Sequence, residues 1–182
     1  MTDAQGLQSL AVDRTQLRSV QEPLKERYRG DPDAALVTLS ASGTLGQGVS
    51  CAVGTGQKLA EAGLHPASGG DGSLLCSGDL LLEALAACAG VTLRAVATSL
   101  ELDVQGTVHA EGDLDFRGTL GVDREVPVGF REIRLRFDLE TGAGDDELAT
   151  LLRLTERYCV VYQSLASAPT LSVTLDRAQP PL

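Results

Sequence analysis

The spacing of hydrophobic positions changes several times along the chain, and each change marks a predicted element. After a polar lead, Leu17, Val20, Leu24 and Tyr28 recur at helical spacing. Asp13 or Thr15 is the N-cap and Gly30-Asp31-Pro32 the stop. The period then falls to two in Val37, Leu39, Ala41 and again in Val49, Cys51, Val53. Ser42 to Gly46 lies between as a turn, so this stretch predicts a hairpin. Residues 64–78 carry loop chemistry (His65-Pro66, Ser68-Gly69-Gly70-Asp71-Gly72, Cys76-Ser77-Gly78) directly before an apolar run, where a loop forms the wall of a site. Leu80 to Leu100 is apolar nearly all round. Leu81, Leu85, Cys88, Thr92 and Leu93 lie on one side and Leu82, Ala86, Ala89 and Val96 on another, the pattern of a central helix enclosed on most faces.

Period two returns at Val104 to Ala110, then at Leu114, Phe116, Leu120 and Val122. It continues through Ile133, Leu135, Phe137 and Leu139, whose intervening Arg134, Arg136, Asp138 and Glu140 face water. This predicts an antiparallel meander. A second long helix starts at Asp145 or Asp146, carries Leu148, Leu151, Leu152 and Thr155, and runs through Glu156 to Gln163. Leu171, Val173 and Leu175 predict a closing strand. The element order implies an α+β fold, an antiparallel sheet with two long helices of which the central one is buried, and not a doubly wound sheet. Gly43, Gly46 and Gly48 sit in the hairpin and not at a strand-to-helix turn, which disfavours nucleotide binding. Residues 1–34 read as a tail with a short helix and 35–182 as one domain.

Composition narrows the partners. With 25 acidic and 15 basic residues the net charge is −10, so no basic surface exists to neutralise phosphates or anionic lipid. Nucleic acid and membrane are excluded as expected partners, and Glu83, Gly90 and Arg94 interrupt the one run that reaches membrane length. Aromatics are only 3%, so Leu, Val and Ala must build the core. No basic stretch leads into an apolar one at the N-terminus, which predicts a cytoplasmic protein with its four cysteines reduced at rest.

Those cysteines are the candidate chemistry. Cys88 lies among small residues (Ala86, Ala87, Ala89, Gly90) that let a substrate or another backbone approach the sulfur. Cys159 has Arg157 and Tyr158 before it and Tyr162 and Gln163 after it, polar company in which a thiolate is stabilised. Cys51 alternates with valines as a core residue, and Cys76 lies in the glycine-rich loop. His65 and His109 stand apart from one another, so no metal set is predicted, and no cofactor.

Gly78-Asp79-Leu80-Leu81-Leu82-Glu83-Ala84-Leu85-Ala86-Ala87-Cys88, together with the later Glu156-Arg157-Tyr158-Cys159, resembles the OsmC/Ohr family of osmotically inducible and organic-hydroperoxide-resistance proteins. The resemblance spans about residues 35 to 176. It implies an intertwined homodimer and thiol peroxidase chemistry on organic hydroperoxides or hydrogen peroxide. In that chemistry Cys88 matches the peroxidatic cysteine and Cys159 the resolving one, their disulfide being reopened by a dithiol reductant. It also implies an arginine and a carboxylate beside the thiolate. Arg27 and Arg29 are candidates because the family's arginine comes from the N-terminal part. Arg94 is one because it interrupts an apolar helix, and Arg157 because it lies two residues from Cys159. Asp79 stands near the family's carboxylate, but nine residues before Cys88 it turns to the opposite helix face, where it also reads as a first-turn charge on the helix dipole. The chain departs from the family in having Ser77-Gly78-Asp79 where a Pro-Glu pair is usual, and Val160 where proline often follows the cysteine. A small-ligand-binding protein on the same scaffold is the alternative function.

Overall fold

A computed structural model describes residues 13–31, 43–45, 50–55 and 58–176. The first helix, α1, spans Arg14–Gly30. Asp13 caps it, accepting from the Gln16 N–H at 2.8 Å while the Gln16 side chain accepts the Asp13 N–H at 3.0 Å. Three antiparallel strands follow, β1 (Gly43–Leu45), β2 (Ser50–Thr55) and β3 (Lys58–Gly63), and the short β4 (Leu75–Cys76) joins β3 in parallel. The hairpin is therefore real but displaced. Gly43, Thr44 and Leu45, read as its turn, are strand residues paired with Val53, Ala52 and Cys51, and β3 supplies a strand the pattern did not predict. Val37, Leu39 and Ala41 lie outside the described residues.

Helix α2 (Ser77–Leu100) begins three residues before the predicted start and ends where Glu101 adopts a left-handed conformation, φ 58°. By length and composition it could cross a bilayer. Here its stripe of Leu85, Ala89, Leu93, Val96 and Ala97 is the core, closed by Val104 and Leu151. Enclosure on most faces does not hold within one chain. Val91 is 71% exposed, although β5, α4 and α5 all pack on the helix.

The second sheet has two strands, β5 (Val104–Leu114) and β6 (Phe130–Thr141), antiparallel from Val104 opposite Thr141 onward. Gly106 is required in that register: its φ is +140°, and a Cβ there would stand 2.0 Å from the Asp138 carbonyl oxygen. The predicted middle strand of the meander is absent. Asp115 instead caps a short helix, α3 (Phe116–Thr119), by accepting the Arg117 N–H at 3.1 Å, and turns lead from there to β6. Helix α4 (Asp145–Tyr158) opens on three acidic residues that suit its N-terminal dipole, with Leu151 and Thr155 buried against α2. The predicted long second helix then breaks: Cys159 is extended (ψ 108°) and α5 (Val160–Ala166) starts anew. The closing strand does not form. Residues 168–176 have no regular structure, and Leu171, Val173 and Leu175 are exposed.

Candidate active site

The break at Cys159 organises the site. Its N–H bonds back to Thr155 O at 2.9 Å, ending α4, and its carbonyl accepts the Gln163 N–H at 2.9 Å, starting α5. The first N–H groups of α5, which have no partner within their own helix, are left for another acceptor. The Cys88 thiol faces this bend: the Val161 and Val160 N–H groups, the Cys159 thiol and the hydroxyl of Thr92, one turn further along α2, all act to lower it. Burial works to raise the Cys88 thiol, but these donors outweigh it and hold the group below its ordinary value. Cys159 moves the other way. Burial and the facing Cys88 raise it, against the N–H groups of Tyr162 and Val161. Of the two thiols, Cys88 is therefore the one that ionises first, facing a Cys159 that keeps its proton to higher pH.

Cys159 is 1% exposed, yet it lines a cavity of about 460 Å³ between β6 and the α4–α5 bend. Leu85 lies on that cavity's α2 side, Phe130 and Ile133 on its β6 side, and Arg131, Glu156 and Tyr162 bring its polar groups. The cavity is amphipathic and reaches one member of the thiol pair.

The other residues singled out from the sequence lie elsewhere. Asp79 is in the first turn of α2, about 13 Å along the axis from Cys88 at 1.5 Å per residue. Arg94 donates to the Val104 carbonyl at 2.5 Å and fastens the start of β5. Arg157 is exposed and lies over the Tyr158 ring, 5.7 Å from its centroid. Arg27 and Arg29 are exposed in the last turn of α1, where Arg29 pairs with Glu22 at 3.4 Å. Among the described residues, the groups acting on Cys88 are backbone N–H, thiol and hydroxyl donors, with neither a guanidinium nor a carboxylate. Thr92 and the valine N–H groups were missed. Thr92 was visible as a position on the Cys88 side of the helix, whereas backbone donors leave no mark in a sequence. His65 accepts the Ala67 N–H at 3.0 Å and stacks on Phe116, and His109 lies 3.2 Å from Asp138, so each histidine has a local structural partner.

A family model described as OsmC-like protein matches residues 70–174, more than half of the chain and both cysteine segments. The chain belongs to the OsmC-like family. Among solved structures the fold is similar to the OsmC-like protein of Mycoplasma pneumoniae, with a TM-score of 0.60 and 18% identity over 72% of this chain and 89% of that one. It is similar as well to an organic hydroperoxide resistance protein from Elizabethkingia anophelis, with a TM-score of 0.59 and 18% identity over 73% and 91%. A hypothetical protein from Aquifex aeolicus matches at 0.57 and 16% identity over 73% and 90%. At these identities the likeness is one of fold. None of the curated proteins matches this chain.

Proposed function

We propose that this OsmC-like protein is a thiol-dependent peroxidase, reducing organic hydroperoxides or hydrogen peroxide, with Cys88 peroxidatic and Cys159 resolving. The observation that carries the reading is the meeting of the two sulfurs at the α4–α5 break, one thiol lowered and the other raised. The Cys88 thiolate attacks the outer peroxide oxygen. An S–O bond forms, the O–O bond breaks, sulfur loses two electrons, and the leaving alkoxide takes a proton to become an alcohol. The Cys159 sulfur then displaces hydroxide from the sulfenic acid, its own proton completing a water molecule as the disulfide forms. A dithiol reductant restores both thiols by exchange. The family, and the printed name of the Elizabethkingia structure, agree with peroxide defence.

The reading extends to a homodimer in the reducing cytoplasm, with residues 1–34 an addition to a domain at 35–182. Ligand binding on the same scaffold is the second reading. It is favoured by the partly apolar cavity and by the finding that, among the described residues, neither a guanidinium nor a carboxylate acts on Cys88. Peroxide consumption with a dithiol reductant separates the two. Wild type should turn over t-butyl hydroperoxide and Cys88→Ser should lose turnover by at least about a hundredfold. Equal, slow consumption by both proteins supports ligand binding.

A further inference from the structure

The cavity that Cys159 lines runs beside β6, and three separate features of the chain place one aromatic ring against it. The first is a bulge. Asp113 pairs with Glu132 and Leu114 with Phe130, so Arg131 has no partner on β5. Successive side chains of a strand point to opposite faces, and without the extra residue Phe130 would share the face of the exposed Arg134 and Arg136. With it, the ring joins Ile133 and Leu135 on the cavity side. The second feature is Gly112 on β5, diagonal to Phe130, where a Cβ would stand 2.6 Å from the ring's Cδ1 and Cε1. The third is Gly78 in the first turn of α2, where a Cβ would lie 3.4 Å from the ring's Cζ. The ring thus fills the space that two absent side chains leave between sheet and helix, about 15 Å along α2 from Cys88 at 1.5 Å per residue.

We propose that Phe130 is a specificity-determining residue: its ring ends the cavity at the first turn of α2 and limits the length of the apolar group that a hydroperoxide can carry to the thiols. The proposal rests on the peroxidase reading and adds to it the property by which substrates are sorted. Without the ring, the cavity would join the space over Gly112 and Gly78, which neither glycine can fill, and a longer apolar group would find cover there. Gly112 is the ring's seat. Its φ lies outside the left-handed region, so its backbone accepts alanine, but the added methyl would drive the ring off the sheet and shorten the cavity.

The test is the rate at which decyl and methyl methanethiosulfonate label Cys159, read by peptide mass spectrometry in full chains carrying Cys88→Ser, so that one sulfur of the pair reports. Dividing the decyl rate by the methyl rate cancels the reactivity of the sulfur itself and leaves the room available to the chain. On that background the ratio should rise about tenfold with Phe130→Ala and fall about as far with Gly112→Ala. Phe130→Leu should lie between Phe130→Ala and the unaltered ring, and it keeps the comparison available if alanine unfolds the chain. Loosened packing would move both substitutions the same way, whereas a wall moves them in opposite directions. A ratio unchanged when the ring is shortened, or one that rises with Gly112→Ala as well, overturns the proposal. Labelling needs no peroxide. A ratio that follows the ring, in a protein whose Cys88 form consumes no hydroperoxide, overturns the peroxidase reading alone, whereas hydroperoxide turnover with a ring-independent ratio overturns the Phe130 proposal alone.

Discussion

Cys88 and Cys159 are the same chemical group with opposite tendencies, and the difference lies in their surroundings. The N–H groups that open α5, the Cys159 thiol and Thr92 lower the Cys88 thiol against burial, while burial and the facing Cys88 raise the Cys159 thiol in its buried bend. The sign of the pH effect follows. A thiol held below its ordinary 9.0 in the folded state stabilises the fold fully above that value, and the contribution fades as pH falls through the folded value. Cys159, raised, adds an opposing trend only above about pH 9. Below that, the urea-midpoint difference between wild type and Cys88→Ser should therefore grow in favour of wild type as pH rises from about 6 toward about 9. A flat difference would mean that no thiolate is specifically held. The sequence singled out both cysteines as candidates, Cys88 by its small neighbours and Cys159 by its polar ones. The charged candidates were not placed as expected, because Arg94 serves a strand carbonyl and Arg157 an aromatic face. Neither use is encoded in spacing along one element.

At the scale of elements, α2, β5, β6 and α4 were legible because each keeps one period over ten residues or more. The failures share a cause: a local pattern overruled by an unseen partner or by backbone chemistry. Leu114, Phe116, Leu120 and Val122 alternate loosely, but Asp115 caps a helical turn. Gly118 lies so close to the segment before β6 that a Cβ would stand 2.6 Å from the Pro127 carbonyl oxygen. The helix expected to run through Cys159 stops there, and Val160-Val161 restart it with β-branched residues that propagate helix poorly. That break can be probed directly. Val160 is the first residue of α5, where proline is tolerated, and Cys159 already has the extended backbone that a residue before proline prefers. Val160→Pro should leave α5 intact by circular dichroism yet remove one donor from Cys88, raising its alkylation midpoint by about half a pH unit while the Val161 N–H remains. An unchanged midpoint would show that the N–H groups of α5 do not tune this sulfur.

At the scale of the whole molecule, one chain leaves its apolar pattern incomplete. Val91 on α2 is 71% exposed and Leu171 and Val173 on the terminal segment 83% and 96%, although their spacing is that of covered elements. A second copy is the simplest cover, so light scattering at micromolar concentration should give about twice 19.0 kDa, and a monomer there would remove the homodimer from the account. The terminal alternation of Leu171, Val173 and Leu175 was read from the sequence as a strand; alternation reports what a segment can pair with, and among the described residues no strand pairs with it. The central claim, that Cys88 attacks peroxide and Cys159 resolves it, is tested most directly by mass spectrometry of the reduced protein after one equivalent of t-butyl hydroperoxide. The account predicts a Cys88–Cys159 disulfide in wild type, and in Cys159→Ser a Cys88 that stops at the sulfenic acid and over-oxidises with further peroxide. Four cysteines oxidised at similar slow rates, with no Cys88–Cys159 bridge, would contradict it.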